Sequence, residues 1–312
     1  MKTLSVEASV VKFLDKNKGQ KFVVAVSGGV DSMVLLHCLL RYIGAEDLVV
    51  AHVNHGTRKE CAAEEEMVKS FAKSNGVLVR VKRLTAVPER NKEAAWREIR
   101  QAFFTEVAKK HSCDKVLTAH HTSDLVETMI YRSIKGSTVM GAMGFSPDNK
   151  PLYHAVKRDI YKYAEKYSVP FSEDESNKNA AHARNRIRQN VVPELRKITP
   201  NMEAVYLQSA QNMTEIQQFL DESVAEYIQK KQILLRDFLA LHNCLQRHLL
   251  QSVVASPMQR DINECLRWLR NNPRGNTHRT LKNTTIRLMR GRVIFESGQV
   301  IAPVHENRLD EK

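Results

Sequence analysis

The first half of the chain alternates short apolar runs with helical patterns, and this alternation limits the folds open to it. Apolar runs predict four strands, at residues 21–26, 48–53, 77–81 and 115–118. Helical patterns follow these strands, at residues 31–42, 60–74, 91–111 and 123–134. Strands that are separated by helices form parallel sheets with right-handed crossovers. The pattern therefore predicts an α/β fold built on a doubly wound parallel sheet.

The character of the sequence changes near residue 198. Helical patterns follow at residues 202–231, 234–254 and 261–269, and an alternating stretch at 284–295 predicts a hairpin that turns at Arg290-Gly291. We expect two domains: residues 1–197, which contain the parallel sheet, and residues 198–312, which are mainly helical with a small β element.

Charge and cysteine content narrow the class of protein. The chain has 48 Lys+Arg and 35 Asp+Glu, a net charge of +13. Such an excess favours a polyanionic partner, nucleic acid before membrane, although basic residues can also serve solubility alone. No apolar run reaches the roughly 20 residues that cross a bilayer. Five dispersed cysteines without CxxC spacing argue against a disulfide framework. These features favour a soluble, reduced, cytoplasmic protein.

Polar residues follow three of the predicted strands at the point where each strand ends. Ser27-Gly28-Gly29 follows the first strand, His52 and His55 lie at the end of the second, and His120 and His121 follow the fourth. The carboxyl ends of parallel strands meet at one edge of the sheet, where ligands of open α/β sheets bind. The sequence therefore predicts a shared site at this edge.

The segment Ser27-Gly28-Gly29-Val30-Asp31-Ser32 lies between a buried strand and the start of a helix. Glycines let a backbone approach a ligand closely, and a helix N-terminus offers N–H groups and partial positive charge that suit phosphate. The alternative is a plain turn with Asp31 or Ser32 as the helix cap. The segment is not a Walker A loop, because GxxxxGK[ST] is absent.

Asp124 and Glu127 are three residues apart, so they share one face of the predicted helix. Both carboxylates can therefore point into one pocket. The alternative is a helix start that favours acids, with Ser123 or Asp124 as the cap.

Two basic stretches could contact RNA. Arg184, Arg186 and Arg188 fall within five residues, and Arg184 and Arg188 share a face if the segment is helical. Residues 267–292 contain eight Lys or Arg and no acid. Such stretches are typical of an RNA-backbone surface or of a solvated basic face.

Five motifs in order resemble those of the tRNA(Ile)-lysidine synthetases, a family of N-type ATP pyrophosphatases, or PP-loop enzymes. They lie at residues 27–32 (SGGVDS), 51–58 (AHVNHGTR), 91–100, 118–128 (TAHHTSDLVET) and 174–188. Two departures are Ile134-Lys135-Gly136 in place of LRG and Lys150-Pro151-Leu152 in place of RPL. Lysine can neutralise a phosphate but cannot form the bidentate fork of arginine.

The resemblance implies ATP-dependent ligation of L-lysine to C2 of cytidine 34 in the CAU anticodon of tRNA(Ile), by way of an adenylated cytidine, with AMP and pyrophosphate as products. It implies ATP and Mg²⁺ as cofactors, a cytoplasmic location without membrane attachment, and it is compatible with a homodimer. Residues 1–197 would be the N-type ATP pyrophosphatase catalytic domain, and residues 198–312 would bind tRNA.

The resemblance also assigns roles to individual residues. It makes Asp31, Asp124 and Glu127 catalytic, with Asp124 and Glu127 binding lysine and Asp31 holding Mg²⁺. The ATP-binding residues would be Ser27, Gly28, Gly29, Val30, Asp31, Ser32, His52, His55, Arg97 and His120. The tRNA-binding residues would be Arg58, Arg100, Lys135, Lys150, Asn177, Arg184, Asn185 and Arg188.

Two other functions remain open. One is another AMP-forming PP-loop enzyme that modifies tRNA, such as a sulfurtransferase, many of which need paired cysteines. The other is a non-catalytic RNA-binding module on the same fold.

Overall fold

The computed structural model describes residues 3–56, 60–84, 92–135, 143–173, 183–254, 258–271, 276–282 and 284–297. The chain divides into two compact units, the first ending at Ala210 and the second beginning at Gln211. The functional boundary that the sequence places after residue 197 stays a prediction. Within the described ranges, no helix is both long and apolar enough to cross a membrane.

The first unit is built on a four-stranded parallel sheet of order β3–β2–β1–β4. The strands are β1 (Phe22–Ala25), β2 (Leu48–Asn54), β3 (Leu78–Arg83) and β4 (Lys115–Leu117). The helices are α1 (Val6–Asp15), α2 (Val30–Leu40), α3 (Glu60–Ser74), α4 (Lys92–Lys110), α5 (Thr122–Ile134), α6 (Lys157–Lys166), α7 (Ala183–Arg186) and α8 (Val192–Ile198), with a π-helix (Ile187–Val191) between α7 and α8. The α/β class and the four predicted strands are confirmed, whereas α1, α6, the π-helix and α8 were not predicted.

Alternate residues of the central strands pack on opposite faces of the sheet. Val24 of β1 and Val50 of β2 belong to a core that includes Leu35 of α2. Val23, the neighbour of Val24, belongs to a second core that includes Phe103 of α4. Both faces are therefore buried, as in a doubly wound sheet, and polar groups are left to the strand ends.

The second unit contains helices and a small antiparallel sheet of order β5–β8–β7–β6. Helix α9 (Met202–Lys230) contains the boundary between the units. The remaining elements are β5 (Gln232–Leu234), α10 (Leu235–Ala240), α11 (Asn243–Val253), α12 (Gln259–Asn271), β6 (Thr277–Leu281), β7 (Thr284–Met289) and β8 (Arg292–Ser297). Strands β7 and β8 pair around Arg290-Gly291, so the predicted hairpin is confirmed.

The single helix predicted at residues 234–254 is wrong. The chain forms the end of β5 and two helices there, because Leu241 is extended and His242 starts α11 by accepting the backbone N–H of Cys244. Phe238 and Leu249, one from each helix, are both fully buried in the same core. An apolar pattern that suits one long helix thus also suits two short helices that pack on one core.

Candidate functional site

The conformation of the loop after β1 is set by one glycine and by hydrogen bonds of two serines. Gly28 has a φ of +95°, which L side chains rarely adopt. The backbone N–H of Ser27 donates to Ser32 Oγ at 3.1 Å, and Ser32 Oγ donates to the carbonyl of Gly29 at 2.9 Å. Gly29 is the N-cap of α2 and provides no side-chain cap, so the alternative of a turn capped by Asp31 or Ser32 is wrong. The helix therefore presents its N-terminus at the loop, as a phosphate site requires.

Asp31, in the first turn of α2, is held by two basic side chains, Lys157 and His121, from distant parts of the chain. Lys157 Nζ donates to its two carboxylate oxygens at 2.7 and 2.8 Å, and His121 Nε2 lies 3.5 Å from Oδ1. Burial raises the pKa of Asp31, but the hydrogen bonds and charges of His121 and Lys157 outweigh burial and hold it well below its usual range. Asp31 is therefore an anion at neutral pH.

His121 joins Asp31 to the acid pair on α5. Its Nε2 lies 3.4 Å from Asp124 Oδ2, about as far as from Asp31. The side chain is 2% exposed. Burial lowers the pKa of His121, but the charges of Asp124 and Asp31 outweigh burial, so the net direction is upward. His121 and Lys157 were both missed as site residues by sequence reasoning. His121 lies inside a recognised motif, whereas no local pattern points to Lys157.

Asp124 and Glu127 lie on one face of α5, as their spacing predicts, but their contacts differ. Arg188 holds Glu127 with two hydrogen bonds of 2.7 and 2.8 Å, whereas its Nη2 lies 3.5 Å from Asp124 Oδ1. Burial, with the nearby charge of Asp124, raises the pKa of Glu127, and the opposing effect of Arg188 does not reverse this direction. Glu127 is therefore firmly paired, and Asp124 retains capacity for another cation.

The helix-start alternative for this pair holds in part. The cap of α5 is His121 rather than Ser123 or Asp124, and the backbone N–H of His121 donates to Asp124 Oδ2 at 3.1 Å in a capping box. Asp124 thus stabilises the helix start with one oxygen while its other oxygen faces Arg188.

A cavity of about 220 Å³ adjoins the acid pair. It is lined by His120, Asp124, Glu127, Thr128, Phe145, Arg184, Asn185 and Arg188. Its volume is below the roughly 300–1,000 Å³ of pockets for drug-sized ligands, so it suits a small polar molecule. A larger cavity of about 480 Å³, in the second unit, is lined by leucines and two arginines and contains no acid.

The histidines predicted to bind ATP lie at the same edge of the sheet. His52 is 2% exposed, and its Nδ1 lies 2.8 Å from the carbonyl of Val26, directly before the loop. Its Nε2 is buried without a hydrogen-bond partner among the described residues. His120 Nδ1 lies 3.0 Å from Thr118 Oγ1. Burial lowers the pKa of His120, and the charge of Arg97 lowers it further. The ring centroids of His55 and Trp96 are 5.1 Å apart.

The residues predicted to bind tRNA fall into three groups. Arg58 and Asn177 lie outside the described residues, while Arg184, Asn185 and Arg188 line the cavity. Arg100 on α4 is partly exposed and Lys135 is exposed. Lys150, by contrast, is 4% exposed, with Nζ donating to Asn149 Oδ1 at 2.7 Å. Its place in the interior does not offer its ammonium to an RNA backbone.

Part of the basic stretch at residues 267–292 is paired within the second unit. Arg279 contacts Glu264 at 2.5 Å, and Arg287 contacts Glu296 at 2.7 Å. The acids that balance these arginines lie outside the stretch, so its charge is lower in the folded unit than the sequence suggests.

Among the described residues, no group of three His, Cys, Asp or Glu side chains could hold a metal ion. Both oxygens of Asp31 are engaged by Lys157. Mg²⁺ commonly binds through one or two carboxylates together with substrate phosphates. Asp31 therefore fits Mg²⁺ only as one ligand among phosphate oxygens.

Comparison with known proteins agrees with this geometry. Residues 2–195 match the family described as PP-loop domain. The chain belongs to the PP-loop family. The tRNA(Ile)-lysidine synthase of Persephonella marina is 31% identical to this PP-loop chain over 274 residues, which is 81% of this chain and 60% of that protein. The Bacillus subtilis protein of the same name is 33% identical over 242 residues, 71% of this chain and 51% of that protein.

The PP-loop chain thus spans only 60% and 51% of the lengths of these two relatives. Among solved structures, the U34-tRNA thiolase NcsA from Methanococcus maripaludis, with its [4Fe-4S] cluster, matches with a TM-score of 0.56 and 17% identity. The match covers 67% of this chain and 78% of that chain. At this identity the likeness shows the fold alone, and it confirms the predicted PP-loop sheet.

Gly28→Ala should weaken ATP binding and lower stability. A Cβ there would meet Glu64 Cβ at 3.4 Å while the backbone keeps a φ of +95°, a strain of about 1–3 kcal/mol. Gly19→Ala is the matched control, because Gly19 also has positive φ but has no atom within 4 Å of its added Cβ. Both variants should unfold at lower urea concentration, and only Gly28→Ala should lose ATP affinity, by roughly tenfold or more in calorimetry. Equal ATP affinity in both variants would contradict this role of Gly28.

Lys150→Met should stabilise the protein at pH 7. Burial lowers the pKa of Lys150 from 10.5 to about 8, a penalty of roughly 3 kcal/mol on the charged form. The variant also loses the hydrogen bond to Asn149, worth about 1 kcal/mol, so we expect a net gain of about 2 kcal/mol in urea unfolding.

The sign of the pH dependence follows from the lowered pKa of Lys150. Below the folded pKa of about 8, the charged Lys150 lowers the free energy of unfolding by the full amount. Between about pH 8 and pH 10.5 Lys150 keeps its proton in the unfolded chain but loses it in the folded chain, so this destabilisation decreases as the pH rises. The gain of Lys150→Met should therefore narrow between these pH values. Exposed Lys135 is the control, and Lys135→Met should change stability by less than about 0.5 kcal/mol. A Lys150→Met variant no more stable than wild type at pH 7 would show that the ammonium is not penalised.

Proposed function

We propose that this PP-loop chain ligates L-lysine to C2 of cytidine 34 in the CAU anticodon of tRNA(Ile), and converts ATP to AMP and pyrophosphate. One observation carries the proposal: the phosphate loop and an acid-lined cavity adjoin through His121, whose Nε2 lies 3.5 Å from Asp31 and 3.4 Å from Asp124. A reaction that joins an ATP-activated base to an amine needs these two sites side by side. The names of the Persephonella marina and Bacillus subtilis relatives support the same product.

In the first step, the C2 oxygen of the cytidine attacks the α-phosphorus of ATP, an O–P bond forms, and pyrophosphate leaves. The loop would hold the polyphosphate through the N-terminus of α2, with Ser27 and Ser32 as hydroxyl donors. His52, His55, Arg97 and His120 would contact the nucleotide from the ends of β2 and β4 and from α4.

In the second step, the amine of lysine attacks C2, a C–N bond forms, and the C2–O bond breaks as AMP leaves with the oxygen. The ammonium of lysine must lose a proton before attack, and a carboxylate within hydrogen-bond reach can accept it. Asp124 is suited to this task because its contacts to Arg188 and His121, 3.5 and 3.4 Å, are long. Glu127 would fix Arg188 and complete the wall of the cavity.

Mg²⁺ would enter with the phosphates and neutralise their charge, with Asp31 as its ligand from the protein. Arg184 and Asn185, which line the cavity, would hold the anticodon loop, together with Arg58, Arg100, Lys135, Asn177 and Arg188. Buried Lys150 would not take part. Residues 1–197 would form the catalytic domain and residues 198–312 would extend the tRNA contact. A cytoplasmic location and a homodimer belong to the same proposal.

The thiols do not favour sulfur transfer. All five cysteines are unpaired, and Cys38, Cys61 and Cys265 are buried. Unpaired thiols also suit a reducing compartment.

The proposal predicts that the protein incorporates labelled L-lysine into a tRNA(Ile) transcript with a CAU anticodon. Incorporation should require ATP and should disappear when cytidine 34 is replaced by uridine. Pyrophosphate and AMP should form in equal amounts with the lysine product. Release of AMP without lysine incorporation would point to another nucleophile, and no AMP release would favour an RNA-binding module.

Asp124→Asn should lower kcat/KM for lysine by about 10–150-fold, because a charge-assisted contact to the ammonium is worth about 1.5–3 kcal/mol. The KM for ATP should change little, since Asp124 faces the cavity. Exposed Glu106 on α4 supplies the control, and Glu106→Gln should behave as wild type. A selective rise in the KM for ATP would place Asp124 in the nucleotide site instead.

A further inference from the structure

The imidazole of His121 lies between two carboxylates to which the proposed function gives different tasks. Nε2 is 3.5 Å from Asp31 Oδ1, beside the phosphate loop, and 3.4 Å from Asp124 Oδ2, beside the cavity. Both distances exceed the 2.7–3.2 Å of a good hydrogen bond. The imidazole therefore stands at nearly equal distance from two acceptors without a firm bond to either.

Only one hydrogen of His121 faces these carboxylates. Nδ1 accepts the backbone N–H of Asp124 at 3.4 Å as the cap of α5. The Nε2 hydrogen is present both in the neutral ring with this tautomer and in the charged ring. A single N–H that serves two carboxylates can form a short hydrogen bond with only one of them at a time.

The contact of Lys157 with Asp31 determines how strongly Asp31 attracts the Nε2 hydrogen of His121. Its ammonium donates to both oxygens of Asp31 at 2.7 and 2.8 Å, while its backbone N–H is anchored to Ser123 Oγ at 3.2 Å. The side chain can therefore move while the start of α6 stays in place. A polyphosphate at the loop would attract this ammonium by charge and leave Asp31 with fewer donors.

We propose that His121 is a positioning residue that couples the two sites. A polyphosphate at the loop draws Lys157 from Asp31, and Asp31 Oδ1 takes the Nε2–H of His121 while Oδ2 is left for Mg²⁺. Asp124 is thereby freed to bind a primary ammonium. This inference rests on the proposed function, because it takes the cavity to be the lysine site. It predicts that nucleotide and lysine bind with positive cooperativity, each raising the affinity for the other by the same factor.

Calorimetry on the full chain tests the coupling. L-lysine is titrated with and without α,β-methylene ATP, whose α–β bridge cannot be cleaved. The wild-type protein should bind lysine at least about fivefold more tightly with the analogue present, at the lower end of usual coupling factors.

Two substitutions at position 121 separate the bridge from the helix cap. His121→Asn keeps an oxygen that can cap α5, since asparagine is a favoured N-cap, but its side chain is too short to bridge the carboxylates. His121→Gln places an amide N–H near the position of Nε2. His121→Asn should bind each ligand alone with a coupling factor near one, whereas His121→Gln should retain most of the wild-type factor.

Lys157→Met tests the other half of the coupling. Without its ammonium, Asp31 should hold the His121 hydrogen permanently. Lysine affinity without nucleotide should then approach the wild-type affinity measured with nucleotide, and the coupling factor should fall toward one. Lysine binding that is weak and still strongly enhanced by the analogue would overturn the role of Lys157 and with it the proposed coupling.

The outcomes separate the coupling from the proposed function. Wild-type coupling in a folded His121→Asn variant overturns the inference, and so does a wild-type factor of one while lysine transfer to tRNA proceeds. A wild-type protein that neither binds nor transfers lysine overturns the proposed function itself. Circular dichroism melting checks each fold. If His121→Asn does not fold, a factor near one in His121→Gln is the result that overturns the bridge.

Discussion

Three carboxylates converge where the strands of the first unit end, and the fold depends on the cations that balance them. Glu127 is the buried member of the three, and a buried carboxylate that loses its partner costs about 3–5 kcal/mol. Lys157 pairs with Asp31, which lies 126 positions away in the sequence, and Arg188 pairs with Glu127, which lies 61 positions away. These two ion pairs fasten the start of α6 and the π-helix to the edge of the sheet. The later part of the first unit is therefore positioned by charge as well as by apolar packing.

The position of this charge follows from the sheet. Val23 and Val24 are both fully buried although they face opposite cores, so neither face of β1 can hold a polar group. Polar residues are confined to the strand ends, and the parallel direction places those ends at one edge. His52 shows the transition, since it belongs to β2 but uses Nδ1 to contact the carbonyl of Val26 just before the loop. The apolar strands thus fix the position of the site at the strand ends, and the loops supply the side chains that determine its reactivity.

The sequence predicts the parts of this arrangement that depend on local pattern. The strands, the loop with Gly28 and the shared face of Asp124 and Glu127 follow from periodicity and spacing. The pairing of Lys157 with Asp31 could not be predicted, because no local pattern joins residues 126 positions apart. The break at Leu241 was missed for a related reason: a histidine cap is a weak signal, and the apolar spacing continues across it. Lys150 was predicted to contact tRNA from its place in a motif, and motif position does not reveal burial.

Asp124 and Glu127 look equivalent in the sequence, but the free-energy cost of replacing their partners differs. Removing Arg188 from Glu127 would break two short charge-assisted bonds and leave a buried anion unpaired, at a cost of about 3–5 kcal/mol. An ammonium that approaches Asp124 faces no such cost, because the contacts it replaces are 3.4 and 3.5 Å long. An ammonium would therefore be placed more readily at Asp124 than at Glu127, which keeps both of its hydrogen bonds to Arg188.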